Sequence, residues 1–377
     1  MPVKKIIIIG PAHPLRGGLA SYDERLARQF IDEGFDTTIY TFSYQYPGFL
    51  FPGTTQYSIE PAPERIPIKI KINSINPLNW FSVGNELKNL RPDLVVVRYW
   101  LPFMGPCLGT ILRRIKRNKH TKVVCIADNI LPHEKRPGDT IFTKYFLKPV
   151  DGFITMSTKV LGDLHQFAKD KPAKCVPHPL YDNFGEKISR LEARSHLGID
   201  SDANVILFFG FIRKYKGLDI LLNAMKILNA ENRIQDLRLL IAGEFYEDEK
   251  NYSALINDPA LKNNLILHTH FISDSEVKYY LCAADCVVQP YRSATQSGVT
   301  PLAYHFEVPM IVTNVGGLPS LVPDKKVGLI AEPNAESIAE KVMEYFTLGA
   351  AHFIPYLKEE KKNYSWKAMT DAILNLK

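Results

Sequence analysis

The sequence contains few cysteines and no long apolar run, and both shortages narrow the classes of protein that it can encode. Five of its 377 residues are cysteine, an odd number. A chain of this length buries enough apolar surface to fold without disulfide bonds, so a disulfide-stabilised miniprotein is excluded. The cysteines lie mostly in apolar runs, such as residues 122–126. We therefore predict reduced core cysteines in a cytoplasmic protein.

A membrane-spanning pattern is also missing. The apolar run at residues 6–9 is too short for a signal peptide or a membrane span. The most apolar long window, residues 94–112, contains an arginine and two prolines, which disfavour a spanning helix. The charge excess is mild, since 46 Lys and Arg against 40 Asp and Glu leave +6. Such an excess suits acidic lipids, phosphates or nucleic acid without choosing among them.

Two short pairs of potential metal ligands occur in the second half. Cys282 and Cys286 are four positions apart, but no second Cys or His pair at finger-like spacing accompanies them in the sequence. His268 and His270 end a predicted strand, where alternation puts both on one face without a third ligand. Core or structural roles are favoured for both pairs, and we expect no metal.

Short β-branched runs alternate with segments of helical period along the chain, which predicts parallel sheets wrapped by helices. In the first half the predicted strands are residues 5–9, 37–41, 94–98, 122–127 and 152–156, and the helices are 19–33, 104–116 and 158–168. After a loop-like stretch, further strands are predicted at 204–209, 237–241, 265–267, 286–289 and 310–313, with helices at 217–229, 247–257, 274–283 and 296–305. The pattern predicts an α/β fold of two doubly wound, Rossmann-like domains. Ligands of such sheets bind at the carboxyl ends of the strands.

The first strand is followed by a glycine-rich loop that ends in Gly17 and Gly18. Consecutive glycines at a helix start let backbone N–H groups approach an anion, which the helix dipole also favours. The spacing fits neither a dinucleotide fingerprint nor a P-loop. The loop either binds a phosphate or forms a simple tight turn, and the sequence does not choose between these two interpretations.

Two loops of the second half have similar features. Arg213 and Lys216 precede a predicted helix and are placed to bind a diphosphate, arginine as a fork and lysine as a point charge. A solvated basic turn is the alternative. In the loop at residues 290–300, Ser297, Gly298 and Val299 would offer free N–H groups at a helix start. Three phosphate-compatible loops together indicate a phosphate-containing ligand more strongly than any one of them does.

Ordered sequence blocks carry a family resemblance over nearly the whole chain. In the second half they lie at residues 209–217, 221–224, 240–244, 271–276, 289–291 and 308–318, and in the first half at Gly17–Gly18 and residues 128–138. With these blocks, the chain resembles the GT-B glycosyltransferases of the family 4 type. The resemblance implies an acceptor-binding domain (1–180), a nucleotide-sugar-binding domain (181–355) and a C-terminal helix (356–377) that returns to the first domain. Residues 180–185 are the expected hinge.

The resemblance also implies the reaction. A sugar would pass from a nucleoside-diphosphate sugar to a saccharide or lipid-linked acceptor in the cleft between the domains, with retention of configuration and without a metal or other cofactor. Synthesis of cell-surface polysaccharide or glycoconjugate is the expected context.

Residue by residue, Lys216 matches the diphosphate lysine of the family. The usual arginine directly follows the glycine, where this chain has Phe211, so Arg213 is a displaced substitute. The residues expected at the donor are Gly17, Gly18, Arg213, Lys216, Glu244, Thr295, Gln296, Ser297, Gly298 and Val299.

The sequence departs from the family at its paired glutamates. Their positions hold Ala294 and Leu302, whose side chains cannot accept a hydrogen bond. Thr295 and Gln296, with the serine and glycine that follow, are expected to contact the sugar and phosphates instead. Activity is favoured because Lys216 and the glycines are present. A catalytically silent protein that binds a nucleotide sugar or a partner is the alternative.

Two further catalytic candidates lie in the first half. Asp128 stands where the family often has a histidine, and we expect it to hold a sugar hydroxyl or to stabilise developing oxocarbenium charge. His133 would position the acceptor, with backbone capping as the alternative. Lys216 completes the catalytic set by holding the leaving diphosphate.

The basic run at residues 113–119 lacks the interleaved aromatics typical of a nucleic-acid binder, so no nucleic-acid partner is predicted. With the aromatic residues of the stretch 99–103, it is a candidate for peripheral contact with an anionic membrane at its inner face. The alternatives are a solvated helix end and aromatics that belong to the core or to the acceptor pocket.

Overall fold

The structure, a computed structural model, describes residues 4–48, 55–131, 137–294 and 297–376. The chain divides into two compact units. Unit 1 comprises the described residues up to His178 together with those from Ser365 onward, and unit 2 comprises Pro179–Tyr364.

The sheet of unit 1 has seven parallel strands in the order β3-β2-β1-β4-β5-β6-β7. The strands are β1 (Lys5–Ile9), β2 (Asp36–Tyr44), β3 (Ile68–Asn73), β4 (Leu94–Tyr99), β5 (Lys122–Ala127), β6 (Gly152–Thr155) and β7 (Ala173–Cys175). The strand order reverses between β1 and β4, so the loops after these strands diverge and leave a crevice at their carboxyl ends.

The helices of unit 1 that precede unit 2 are α1 (Gly18–Asp32), α2 (Pro77–Leu90), α3 (Gly105–Lys116), α4 (Asp139–Leu147) and α5 (Thr158–His165). Central strand β4 is buried along its whole length and reads as an apolar run with one arginine. Burial on both faces explains that composition, because helices cover both sides of a parallel sheet. Helix α2 begins with Asn76, which caps it, and Pro77, which suits a first turn.

Unit 2 repeats this plan with six parallel strands in the order β10-β9-β8-β11-β12-β13. The strands are β8 (Asn204–Phe209), β9 (Leu237–Ala242), β10 (Leu265–His268), β11 (Cys286–Gln289), β12 (Met310–Thr313) and β13 (Gly328–Ala331). The helices are α6 (Arg190–Leu197), α7 (Leu218–Glu231), α8 (Lys250–Ile256), α9 (Val277–Ala283), α10 (Val299–Phe306), α11 (Leu318–Leu321), α12 (Ala335–Leu348) and α13 (Ala350–Glu360). The predicted fold class is confirmed.

Every predicted strand coincides with an observed one, whereas β3, β7 and β13 were not predicted. Strand β3 reads IKIKIN and lies at the sheet edge with mostly half-buried or exposed side chains. An edge strand carries lysines and so lacks the continuous apolar run that identifies its central neighbours.

The chain returns to unit 1 nine residues after residue 356, the expected start of the C-terminal segment. The chain re-enters unit 1 at Ser365, and residues 356–364 stay with unit 2. Lys361 there forms an ion pair with Glu307 at 2.6 Å, and the Tyr364 ring lies 4.8 Å from that of Tyr304. The returning helix is therefore the shorter α14 (Trp366–Leu374). The other crossing falls after His178 rather than after residue 180.

The aromatics proposed for membrane contact belong to the interior of unit 1. Tyr99 is fully buried and stacks on Phe146 at 4.1 Å, and Trp100 donates to the Tyr46 hydroxyl. Lys116 of the basic run forms an ion pair with Asp151 at 2.7 Å. Tyr99 is therefore a core residue, one of the alternatives, and Trp100 and Phe103 are half-buried against the same core. Among the described helices, none is long and apolar enough to cross a membrane.

The predicted core role of the cysteines is confirmed in most cases. All five are free thiols and four are buried, Cys175 being half-buried. Within the described residues, no group of three or more His, Cys, Asp or Glu is arranged to hold a metal ion.

A buried arginine in unit 2 joins helix α6 to the sheet. Arg194 of α6 lies 3.0 Å from a carboxylate oxygen of Asp285, which precedes β11. Its guanidinium also donates to four backbone carbonyls, those of Asp200, Ser201, Ala203 and Ala283. Arg190, one turn earlier, contacts the same carboxylate at 2.7 Å but leaves about half of its side chain exposed, 49%.

We predict unequal costs for removing these two arginines. Arg194→Met removes the hydrogen bonds to the buried carbonyls of Ala203 and Ala283 and weakens a partly buried ion pair, so it should lower the free energy of unfolding by about 3 kcal/mol. The matched change Arg190→Met should cost less than about 1 kcal/mol, because an exposed ion pair contributes little. Urea unfolding followed by circular dichroism measures these losses. Tryptophan fluorescence would not report on unit 2, since the three tryptophans lie in unit 1. Equal losses would contradict the prediction.

Candidate functional site

The two predicted glycines of the first loop begin helix α1. Gly17 has φ of 100°, in the left-handed region, and Gly18 is the first helical residue. The carbonyl of Gly17 accepts hydrogen bonds from the backbone N–H groups of Ala20 and Ser21. The tight turn is therefore present. The contact of these glycines with a phosphate stays a prediction.

Three charged side chains meet at the carboxyl end of the unit 1 sheet and are called here the charge cluster: Asp23, Arg98 and Asp128. The Arg98 guanidinium donates to Asp128 through Nε at 2.7 Å and through Nη2 at 2.6 Å. Its Nη1 lies 3.3 Å from Oδ1 of Asp23. All three are at most 4% exposed. One guanidinium thus faces two carboxylates, and Asp128 has the better geometry.

The competition changes the acidity of both partners. Burial raises the pKa of Asp23 to about 8, against the attraction of Arg98 and with help from the charge of Asp128. Burial lowers the pKa of Arg98, but the two carboxylates outweigh it and the net shift is upward. Oδ2 of Asp23 is buried with no hydrogen-bond partner among the described residues. The raised pKa favours a proton on Asp23 at neutral pH, which leaves the cluster close to neutral.

Gly10 and Tyr22 pack closely against the charge cluster. A Cβ on Gly10, just after β1, would lie 2.2 Å from Oδ2 of Asp23, so only glycine fits there. On the other side, the Arg98 guanidinium lies 3.9 Å from the centre of the Tyr22 ring. That ring also packs against His178 at 5.0 Å and Trp366 at 4.9 Å. These two residues flank the points where the chain leaves and re-enters unit 1.

The sequence singled out Asp128 but missed its partners. The available signal was Arg98 itself, a charged residue inside the apolar run of β4, since a buried charge needs a compensating group. Both carboxylate oxygens of Asp128 are oriented by Arg98, which holds the group in a fixed position. His133 lies outside the described residues.

In unit 2, Lys216 is a buried cation beside the end of β8. It closes a short 3-10 turn, Lys214–Lys216, and is 9% exposed. Its Nζ lies 5.6 Å from the centre of the Tyr291 ring. Burial, followed by the charge of Arg213, lowers its pKa to about 7. Among the described residues, no carboxylate forms an ion pair with Lys216. A buried cation without a counter-ion favours an anionic ligand.

Phe211 and Arg213 are arranged around Tyr246. The Phe211 ring stacks on Tyr246 at 4.0 Å, and the Arg213 guanidinium lies 5.1 Å from the centre of the same ring. Phe271 extends the stack, with its ring 6.5 Å from Phe211. The three rings are half-buried and were not predicted as part of the site.

The basic turn and the loop after β11 touch through their backbones. A Cβ on Gly217 would lie 2.0 Å from the carbonyl oxygen of Pro290, and Gly217 adopts φ of 67°. Arg292 strengthens the join, because its backbone N–H donates to Tyr215 and its guanidinium pairs with Asp219 at 2.6 Å. The structure therefore brings two of the predicted loops together.

One prediction for this loop is wrong. Val299 was expected to offer a free N–H group, but it donates to Oγ of Ser297 at 3.2 Å. The Ser297 hydroxyl in turn donates to Oε1 of Gln289 at 2.6 Å, and Nε2 of Gln289 donates to Thr300. The serine thus accepts from one of the N–H groups at the helix start. Gly298 lies between these groups, and Thr295 and Gln296 are outside the described residues.

Three further positions singled out in the sequence are Glu244, Ala294 and Leu302. Glu244 is buried just after β9, and its carbonyl accepts from the N–H of Ile212 in the basic turn. Ala294 and Leu302, at the places of the family's glutamates, are both buried apolar residues. The buried Gln289, missed in the sequence, is the polar group found beneath this loop.

The raised pKa of Asp23 leads to a prediction for stability. At a pH between 3.8, the ordinary pKa of an aspartate, and about 8, the pKa of Asp23 in the fold, the folded chain holds a proton that the unfolded chain has lost. Asp23 therefore contributes most to the free energy of unfolding below pH 3.8. As pH rises from 3.8 to about 8, this contribution is lost, by at most ~1.4 kcal/mol per pH unit. Asp23→Asn removes the titration. Wild type should lose stability relative to this variant as pH rises through that window.

Tryptophan fluorescence during urea unfolding measures this difference, since it reports on unit 1. Ser21→Ala on the same helix is the control and should keep the pH dependence of wild type. A difference between wild type and Asp23→Asn that does not vary with pH would show that Asp23 is ionised in the folded protein.

Family models match both halves of the chain. The model described as glycosyl transferases group 1 matches residues 189–361, and that described as glycosyltransferase family 4 matches residues 16–180. An uncharacterized glycosyltransferase of Methanocaldococcus jannaschii is 25% identical over 97% of this chain and 96% of its own. A Bacillus subtilis protein named as a putative teichuronic acid biosynthesis glycosyltransferase is 26% identical over 68% of this chain and 62% of its own.

The fold likeness extends to solved structures. The structure of Anabaena HepE in complex with UDP and glucose superposes with a TM-score of 0.73, at 15% identity and 98% coverage of both chains. The parallel sheets, the phosphate-compatible loops and the two family matches agree with one another. The chain belongs to the GT-B glycosyltransferases of the family 4 type, which use a nucleotide-sugar donor.

Proposed function

We propose that the protein transfers a sugar from a nucleoside-diphosphate sugar, bound by unit 2, to a saccharide or lipid-linked acceptor, with retention of configuration and without a metal. The observation that carries this proposal is the buried Lys216, which has no carboxylate partner among the described residues. As the donor bond breaks, negative charge develops on the leaving diphosphate. A preorganised cation in a water-poor site stabilises that charge strongly.

The other groups around Lys216 support a nucleotide donor. Arg213 lies near enough to lower the pKa of Lys216, so both cations act on the same region. The half-buried rings of Phe211, Tyr246 and Phe271 offer flat apolar surface beside them. Ser297 and Gly298, with Thr295 and Gln296, would supply polar contacts to the sugar and phosphates, and Gly17 and Gly18 would assist from unit 1.

Asp128 is the proposed catalytic carboxylate of unit 1. Its fixed position beside Arg98 suits a group that holds a sugar hydroxyl or stabilises oxocarbenium charge. His133 is proposed to position the acceptor. The name of the Bacillus subtilis relative supports a role in cell-surface polysaccharide synthesis. The proposed place of action is the cytoplasm.

A silent binding protein is the second candidate. Ala294 and Leu302 favour it, because buried apolar side chains stand where the family has hydrogen-bonding glutamates. Such a protein would bind a nucleotide sugar through Lys216 without transferring the sugar.

A donor panel separates the two candidates. The protein is mixed with UDP-, GDP- and ADP-sugars and with saccharide and lipid-linked acceptors, and released nucleoside diphosphate is measured together with thermal stabilisation. Transfer that persists in EDTA, with a product of unchanged anomeric configuration by NMR, is expected. Stabilisation without release for every acceptor would support the silent protein. Loss of activity in EDTA that added metal restores would overturn metal independence.

We predict that Lys216→Ala lowers kcat/KM by two to three decades, roughly 3–4 kcal/mol of transition-state stabilisation, as for loss of one oxyanion donor. The matched control is Lys214→Ala, since Lys214 lies in the same turn but is exposed. The control should keep near-normal turnover. Near-normal turnover of Lys216→Ala would overturn the assignment of the diphosphate site.

Binding of the diphosphate should also be linked to proton uptake. Free Lys216 has a pKa of about 7, so above neutrality part of the population is uncharged. A bound diphosphate favours the charged form and raises that pKa, so the site takes up a proton and the affinity falls as pH increases. Calorimetric titration with a nucleoside diphosphate, in two buffers of different ionisation enthalpy, measures the uptake. Lys216→Met should abolish it, and uptake that persists in this variant would contradict the prediction.

A further inference from the structure

Three helices of unit 1 form one continuous outer surface, called here the α2–α4 face. Their inner sides enter a single core cluster, which includes Val83 and Leu87 of α2, Ile111 of α3 and Phe146 of α4. Helix α3 lies between the other two. Its Arg114 donates to Asn85 of α2, so the helices meet directly.

The outer side of this face exposes large apolar residues. Ile141 is 71% exposed and Leu78 is 80% exposed. Others on the same two helices are Phe81, Phe142 and Tyr145. Positions 141, 142 and 145 share one side of a helix, so the exposure on α4 is a stripe rather than a scatter. Apolar side chains grouped in this way favour an apolar or interfacial partner.

Cations are interleaved with these rings. The Arg113 guanidinium lies 3.5 Å from the centre of the Tyr145 ring, and that of Arg114 lies 5.5 Å from the centre of Phe81. Neither arginine forms an ion pair within the part of the chain that the structure describes. The face therefore joins apolar rings to uncompensated positive charge.

A pocket of about 430 Å³ opens where α3 and α4 end. It is lined by Arg113, Lys116, Lys148, Pro149, Val150, Asp151 and Lys171. The ion pair of Lys116 with Asp151 is neutral, which leaves three cations without a carboxylate among the described residues. Lys171 donates to the carbonyls of Leu147, Lys148 and Val150 and so fixes the pocket wall. The positive charge of this pocket favours an anionic group such as a phosphate.

We propose that the α2–α4 face docks unit 1 on an anionic lipid bilayer, with the rings of α4 in the interface and a lipid phosphate in the cationic pocket. Rings that enter the headgroup region and cations that attract anionic lipid act together in such binding. Nucleic acid would match the cations but not the exposed Ile141 and Leu78. The proposal deepens the lipid-linked acceptor of the proposed function, and its biological role rests on that function.

Co-sedimentation with vesicles tests the proposal on the full chain. Vesicles of phosphatidylcholine alone are compared with vesicles of phosphatidylcholine mixed with phosphatidylglycerol, at low and moderate salt. We expect binding to the mixed vesicles only, weakened by salt. Lys148→Glu should lower the partition coefficient about tenfold, since it removes one attraction and adds one repulsion. The double variant Ile141→Ser, Phe142→Ser should lower it by a similar factor.

Matched controls separate the face from general surface effects. Lys159→Glu changes an exposed lysine on α5 of the same unit, and Leu191→Ser changes an apolar residue of unit 2 that is 66% exposed. Both should bind as wild type does. Equal binding to neutral vesicles, no binding, or equal binding by all variants would overturn the proposal. Complete competition by inorganic phosphate would show a site for free phosphate instead of lipid.

The donor reaction provides an independent readout. Nucleoside diphosphate affinity and donor turnover are measured without vesicles for the same variants. Lys148→Glu and the α4 double variant should leave both unchanged, because neither touches the proposed donor site. If the proposed function is wrong, the protein will show no donor turnover but will still bind vesicles. If the docking face is wrong, donor turnover will be present but vesicle binding will not.

Discussion

The sharing of one buried guanidinium between two carboxylates is the constraint on which the organisation of unit 1 depends. Arg98 forms two short hydrogen bonds with Asp128 and one longer one with Asp23, and the second carboxyl is left to hold a proton. The closeness of Asp23 to β1 demands glycine at position 10, and the flat face of Arg98 demands a ring at position 22. That ring supports both ends of unit 1 where the chain crosses to unit 2.

The two units differ in how their buried charges are compensated. In unit 1, charge buried at the carboxyl edge is compensated from within the fold, so the cluster is rigid and close to neutral. In unit 2, Lys216 is buried without compensation by the described residues, and its lowered pKa reflects the cost of holding a charge there. A closed charge cluster positions groups, whereas an open one favours a ligand that completes it.

The order of strands and helices was largely predictable from the sequence, because parallel strands that are buried on both faces have continuous apolar sequences. Loops that contain glycines and cations between a strand and a helix were found by the same rule, and the structure brings two of them together. Pairing over long separations was not predictable. Arg98 is 30 residues from Asp128 and 75 from Asp23, and nothing local identifies these partners. The capping of Val299 by Ser297 and the break before α14 likewise depend on contacts that form only in the folded chain.

The backbone contact between Gly217 and Pro290 has a consequence for altering donor choice by laboratory evolution. A methyl group at Gly217 would overlap the Pro290 carbonyl, so libraries randomised at that position would yield few folded members. The rings of Phe211 and Tyr246 are half-buried side chains on the same framework and tolerate exchange at lower cost. The loops of the proposed donor site thus divide into a backbone frame that must be kept and side chains that can vary, and we expect new sugar-nucleotide preferences to arise from changes in those side chains.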